Sequence, residues 1–386
     1  MANFPVHINC LLFLVAFHLL LLPLLCRRLP YSAYFDPSLS TSTTRDGESE
    51  EAAALEQLAS LARREEGVQQ QHSSQLAVLV LTASRQGVSY LGRSLLALYR
   101  EVRATPKYQP LVFVCTGEEG MDSGGLPFPL IQPNKSLPAH LPPGNRKAKR
   151  DFVFCAGRMD EMLPKNVEHI LILEDDALVM QGIFSTLSAW MTFHKERLEA
   201  EPWLDIKLYL NPRLRGWAWN QLPLVELLSS TTLLSIVLHV ILVSLQNQKT
   251  GRPKAWVSLV ILWLAILAAL LLVGRQHWVQ WRRLHPQLYL RREAPSAFTQ
   301  AVLYPRQRLV GAACYVGARL DTSTPFDLSL SQYRRWKGLA GHLLEPNLVR
   351  HIGVSSAFDV AHDLDRDGGD NREFLAEYPI LGTHST

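Results

Sequence analysis

The sequence predicts a mixed α/β domain with a mostly parallel central sheet, interrupted by an inserted transmembrane helical hairpin and preceded by an N-terminal transmembrane anchor. Three observations predict it. Two apolar runs, 76–81 and 111–114, flank a segment with Leu91, Leu95, Leu98 and Val102 at helical spacing. That is a strand, helix, strand order with strands buried on both faces, as a parallel sheet requires. Residues 222–245 and 255–274 are apolar blocks joined by a short basic bridge, and each is long enough to cross a hydrocarbon core of roughly 30 Å as a helix. Globular-looking sequence lies on both sides of these blocks, so the hairpin reads as an insertion into one domain.

A third apolar run occupies 8–25 and ends at Cys26, Arg27 and Arg28 with no small-x-small cleavage signature, which favours an anchor over a cleaved signal peptide. With a cytosolic N-terminus, both soluble stretches emerge on the lumenal side. Lys249, Arg252 and Lys254 of the hairpin loop then face the cytosol, as the positive-inside tendency asks. Arg27, Arg28, Arg213, Arg215 and Arg275 run against that orientation. The resulting division is a cytosolic tail at 1–7, an anchor at 8–26, a stem at 27–75, a first domain half at 76–221, spans at 222–245 and 255–274 around a cytosolic loop at 246–254, and a second half with a polar tail at 275–386.

With the spans set aside, the 386 residues leave enough chain for one domain with a real core. The formal charge of +4 is small and gives no reason to expect nucleic acid as a partner. Of five cysteines, Cys115, Cys155 and Cys314 fall in soluble sequence. A secretory lumen allows a Cys115–Cys155 disulfide, and counts alone leave three buried free thiols equally open. Asn134-Lys135-Ser136 is a glycosylation sequon.

The stem carries Leu55, Leu58 and Ala62 at helical spacing. The proline-rich stretch 118–145 is expected to be disordered rather than a functional loop. After the basic cluster Arg146, Lys147, Lys149 and Arg150, a helix over 151–163 places Phe152, Cys155, Met159 and Leu163 on one face, and 169–173 forms the next buried strand.

The chemistry is expected where that strand ends. Glu174, Asp175 and Asp176 fall at the carboxyl edge of the sheet, where ligands bind in open α/β folds. Three adjacent acids repel, and a cation or hydrogen-bond donors relieve that. Such hard oxygen ligands suit Mg²⁺ or Mn²⁺ bridged to a substrate diphosphate, against the plainer reading of a solvated acidic turn.

Leu173-Glu-Asp-Asp-Ala177 resembles the variant acidic motif of GT-A glycosyltransferases. With Asp151-Phe-Val-Phe-Cys155, Glu345-Pro-Asn-Leu-Val-Arg-His-Ile-Gly353 and the layout of anchor, split domain and hairpin, nearly the whole chain resembles the post-GPI-attachment-to-proteins N-acetylgalactosamine transferase family. The resemblance implies a Golgi membrane enzyme of GT-A fold with a lumenal catalytic domain. It implies addition of a side chain to the first mannose of glycosylphosphatidylinositol (GPI), using UDP-N-acetylgalactosamine and Mn²⁺ or Mg²⁺. It implies, further, that Thr82-Ala83-Ser84-Arg85 holds the uridine, with Ala83 and Arg85 the donor contacts. By the same resemblance Glu174 and Asp175 belong to the donor site, Glu174 on the ribose, Asp176 binds the metal, and Cys115 pairs with Cys155. Ser84 stands where the family tends to have an acid, and Ala297 and Phe298 stand in place of its vicinal cysteines.

The family's inverting reaction needs a base, for which Asp327 is the candidate, its alternative role being an N-cap on the helix starting near Leu328. His351 matches a C-terminal histidine that approaches the metal in several GT-A enzymes, although a lone histidine is more often structural. Asp363-x-Asp365-x-Asp367-Gly368 begins like a calcium loop, but Phe374 holds the twelfth position, so a solvated tail is expected. Glu226 and His239 inside the second span do not make a transport pathway. Two other readings share these features: a glycosyltransferase with another donor such as UDP-N-acetylglucosamine, and a non-catalytic three-span membrane scaffold.

Overall fold

The structure is a computed structural model describing residues 15–29, 32–35, 46–64, 74–83, 89–118, 120–121, 126–133, 145–217, 221–245 and 255–353. The chain divides into two units. Of the described residues, one comprises those within 1–41 and 211–281, the other those within 42–210 and 282–353. The soluble stretches before and after the hairpin therefore fold as one body.

That body is built on an eight-stranded sheet in the order β3-β2-β1-β4-β8-β6-β9-β7. Its strands are β1 (Leu76–Thr82), β2 (Leu111–Thr116), β3 (Leu130–Ile131), β4 (His169–Glu174), β6 (Trp203–Lys207), β7 (Leu290–Glu293), β8 (Ala301–Pro305) and β9 (Ala340–Glu345). A separate two-stranded sheet pairs β5 (Ala177–Val179) with β10 (Val349–His351). β1 to β4 run parallel, and β6 is parallel to β9. β8 enters antiparallel between β4 and β6. The post-hairpin half thus places a strand in the middle of the sheet, where it welds the halves by backbone hydrogen bonds.

Side-chain alternation puts the apolar strands to work on both faces. Val78, Val80, Val112, Val114, Leu171 and Leu173 join one core, and Ala77, Leu79, Phe113, Cys115, Ile170 and Ile172 the other. The helix α2 (Leu91–Ala104) buries the expected Leu91, Leu95, Leu98 and Val102, and α3 (Asn145–Met162) buries Phe152, Cys155 and Met159 with Leu163 just beyond its end. Part of the stretch expected to be disordered is ordered: β3 pairs with β2, and Phe128 and Ile131 bury their side chains in the two cores. Lys149 is no part of a free basic face, because its ammonium donates to Arg319 O, Thr322 O and Thr322 Oγ1 at 3.2, 3.0 and 2.9 Å.

The helix α1 (Asp46–Arg64), expected as stem, packs as part of the α/β body, with Ala54 and Leu58 in its core. Glu51 adds a polar anchor to that apolar packing. The first helical amides of α2 have no acceptor within their own helix, and Tyr90 at the N-cap provides no side-chain bond. Glu51 supplies it from α1: Oε1 accepts from Gly92 N and from Ser89 Oγ (3.0 Å), and Oε2 from Arg93 N (3.2 Å). Leu55 lies against Gly92, where a Cβ would come within 2.7 Å of its Cγ. Glu51→Ala leaves these amides without their charged acceptor and is expected to cost about 2 kcal/mol, read as a drop in denaturation midpoint. Glu51→Gln, which keeps an acceptor oxygen, is expected to lose less.

In the other unit, α6 (Gln221–Leu245) and α7 (Ala255–Val273) pack side by side. Both are long and apolar enough to cross a membrane, and Leu233, Val240, Val260 and Leu264 on them are exposed. Arg275 binds Glu226 Oε2 through Nε and Nη2 at 2.8 and 2.7 Å, so the acid noted in the second span is neutralised by the arginine that ends the hairpin. A shorter apolar helix over Phe17–Cys26 meets α7 through His18, whose Nε2 lies 3.0 Å from Ala265 O. The first part of the expected anchor, the hairpin loop and the calcium-like tail lie outside the described residues.

Candidate active site

β4 delivers the three acids at its carboxyl end, and the tight turn into β5 buries two of them: Asp175 and Asp176 are 3 % and 4 % exposed. A solvated acidic turn would leave them in water, so burial removes that reading. Buried carboxylates need partners, and the fold supplies different ones to each. Asp175 Oδ2 accepts from Thr82 Oγ1 (2.8 Å) and Ala83 N (3.4 Å), tying the end of β1 to the acidic turn. Glu174 Oε1 accepts from Thr299 Oγ1 at 2.6 Å, and its own N–H donates to Gln300 O. Asp176 meets His351, with Nε2 and Oδ2 3.3 Å apart.

That last contact is made by the small sheet. Antiparallel pairing sets Val349 opposite Val179, Arg350 opposite Leu178 and His351 opposite Ala177, and Ile352 N donates to Asp176 O at 2.9 Å. The register carries His351 to the residue beside Asp176. Tyr209, whose ring lies 5.7 Å from the imidazole, packs against it. Gly353 is required here, because a Cβ would press on both Asp176 Oδ2 and His351 Nε2.

Asp176 and His351 are a pair that could share a divalent ion. Two ligands of an octahedral ion at roughly 2.1 Å sit about 3 Å apart, close to the 3.3 Å between Nε2 and Oδ2. A carboxylate with an imidazole favours a first-row transition ion such as Mn²⁺ over Mg²⁺. Among the described residues no group of three or more His, Cys, Asp or Glu is arranged to hold a metal, so remaining ligands would come from substrate or water.

The structure thus gathers Ala83, Glu174, Asp175, Asp176 and His351. Asp327 takes no part in these contacts: it lies in the first turn of α9 (Phe326–Trp336), with Oδ1 accepting from Leu328 N at 2.8 Å, in the field of the Lys207 ammonium. The N-cap of that helix is Pro325, not Asp327. Cys115 and Cys155 form a disulfide that joins the end of β2 to α3. Cys314 is a free, exposed thiol, against the buried alternative. Arg85, Ser84 and Asn134 lie outside the described residues.

Sequence reasoning did not single out Thr299, Tyr209 or Gly353. Gly353 sits inside the motif quoted for the resemblance, whereas Thr299 and Tyr209 carry no local signal.

Residues 76–350 match the family described as GPI-N-acetylgalactosamine transferase PGAP4. The matched interval begins at the first residue of β1, encloses the hairpin and ends within β10. On that match, the chain belongs to the GPI-N-acetylgalactosamine transferase PGAP4 family, a family of glycosyltransferases whose acceptors are GPI glycans.

Proposed function

We propose that the protein is a GT-A glycosyltransferase that moves N-acetylgalactosamine from UDP-N-acetylgalactosamine to the first mannose of the GPI glycan. The reaction takes place at the lumenal face of the Golgi membrane, with inversion at the sugar. The observation that carries this reading is the meeting of Asp176 with His351 beside Glu174 and Asp175 at the carboxyl edge of the sheet. A second feature supports the need for a cation. The positive end of α2, an ordinary home for a phosphate next to the first strand, is filled by the Glu51 carboxylate. A nucleoside diphosphate needs its counter-charge elsewhere.

Asp176 and His351 would hold the divalent ion, which supplies charge to the departing diphosphate when bound. Glu174 binds the ribose, and Asp175 holds the Thr82–Ala83 segment against the nucleoside. Asp327 takes the proton from the mannose hydroxyl as its oxygen attacks the anomeric carbon. The bond from that carbon to the diphosphate oxygen breaks, and UDP leaves with the electron pair. The apolar hairpin, with the Phe17–Cys26 segment completing an N-terminal anchor, keeps the domain at the bilayer surface where a lipid-linked acceptor resides.

The test is mass spectrometry of GPI glycans from cells lacking the protein. Loss of an N-acetylhexosamine from the first mannose, regained with the wild-type chain, is expected; unchanged glycans would refute the activity. With purified enzyme, Asp327→Asn is expected to slow transfer by about 10²–10⁴, the range for a missing general base.

A further inference from the structure

The segment joining β7 to β8 is held at every residue from Ser296 to Gln300. Ser331 Oγ donates to Ser296 O at 2.9 Å, and the Lys207 ammonium donates to Ala297 O. Phe298 has φ 72°, left-handed backbone that side chains other than glycine adopt at a cost. Its ring meets Tyr209 edge-on at 6.3 Å, and Tyr209 faces His351. Thr299 then donates to Glu174 Oε1, and Gln300 O accepts from Glu174 N. Behind Thr299, Asp205, Lys207 and Tyr304 line a cavity of about 10 Å³, room for about one water. Burial of this group is deep enough to pull Lys207 down to about 8. An unfavourable backbone conformation persists where its surroundings over-determine it, and the residue it delivers is the one gripping the donor acid.

We propose that Thr299 is a positioning residue for the donor: its hydroxyl holds the Glu174 carboxylate in the one orientation that meets the nucleotide's ribose. The inference rests on the donor site proposed above. It also ties the two halves together at the donor acid, because Thr299 follows the hairpin and Glu174 precedes it. The carboxylate is pre-set before the nucleotide arrives, so the contact acts on donor binding rather than on the bond-making step.

The experiment uses the full-length protein in detergent micelles, comparing wild type, Thr299→Val and Thr299→Ser. Valine keeps the shape and loses the donor; serine keeps the donor. For Val, the donor KM is expected to rise about tenfold, the size of losing a hydrogen bond to a charged group, with kcat changed less than about threefold. UDP affinity by calorimetry in the presence of Mn²⁺ should fall by the same factor, and Ser should restore both. If Val does not fold, Thr299→Ala removes the same donor without added bulk and must show the same split. A variant with wild-type KM and UDP affinity overturns the inference, as does a loss of kcat and thermal stability that Ser fails to rescue. Wild-type protein that does not bind UDP overturns the donor site itself, an outcome distinct from the failure of Thr299 alone.

Discussion

Asp176→Asn is expected to lower kcat/KM by at least about 10³, near 4 kcal/mol of transition-state stabilisation, while the protein folds and is trafficked as wild type. The substitution is nearly isosteric, so the turn between β4 and β5 keeps its shape, and the Ile352 N–H still donates to the backbone carbonyl of residue 176. What changes is charge. Asp176 is buried, and its Oδ2 faces the His351 imidazole. An amide there would offer a neutral oxygen to a divalent ion, and hard cations bind carboxylates far better than amides. Two measurements separate loss of the ion from misfolding. The Mn²⁺ concentration for half-maximal UDP binding should rise steeply in Asp176→Asn and, to a smaller degree, in His351→Ala. The denaturation midpoint should stay within a few degrees of wild type. Transfer at the wild-type rate by Asp176→Asn would refute the metal assignment.

Arg334→Met is expected to destabilise the α/β body by about 3–5 kcal/mol, the range for removing one partner of a buried ion pair. Arg334 Nη1 lies 3.1 and 3.3 Å from Asp205 Oδ1 and Oδ2, and Nη2 donates to Ala294 O at 3.0 Å. The two side chains are 10 % and 7 % exposed. Gly341 makes the space, since a Cβ there would press on the guanidinium. Asp205 belongs to β6, before the hairpin, and Arg334 to α9, after it. This pair is a side-chain bond between the halves, as β8 is a backbone one. Burial raises the Asp205 carboxyl above its ordinary range, and Arg334 opposes that. A carboxyl raised in the folded state contributes stability that is present below its unfolded pKa and lost as pH rises through the folded value. Without Arg334 the folded value goes higher, so Arg334→Met should be less handicapped near pH 4 than at neutral pH. Denaturation at both pH values tests this. Adding Asp205→Asn should recover a good part of the loss at neutral pH, and a single variant within about 1 kcal/mol of wild type would show that the pair does not hold the halves together.

Apart from the Cys115–Cys155 and Asp176–His351 pairings, which the family resemblance implied, the parts that sequence reasoning reached share a property: each is specified by residues close together in the chain. β1, α2, β2 and β4 announce themselves by continuous apolar runs and by Leu91, Leu95, Leu98 and Val102 at helical spacing. The two long helices follow from length and apolarity. Glu174, Asp175 and Asp176 stand out because three acids directly after a buried strand are unusual chemistry in one short window. The parts it missed are long-range. β8 inserts antiparallel between β4 and β6, a placement no local pattern encodes. Glu51 looks like one more acid on a polar helix until its carboxylate is found on the amides of α2, 41 and 42 positions away. Thr299 reaches Glu174 across 125 positions and the whole hairpin.

Periodicity and composition act over one or two turns of chain, and they suffice to specify the class of fold, the two long apolar helices and the place where acidic chemistry sits. Which groups share that place was left to tertiary contacts: the β5–β10 register makes the Asp176–His351 meeting that the family resemblance implied, Thr299 aims Glu174, and Arg334 matches the Asp205 charge. The reason is physical: a buried polar group must find a partner within hydrogen-bonding distance, and which one it finds depends on how strands far apart in the chain pair.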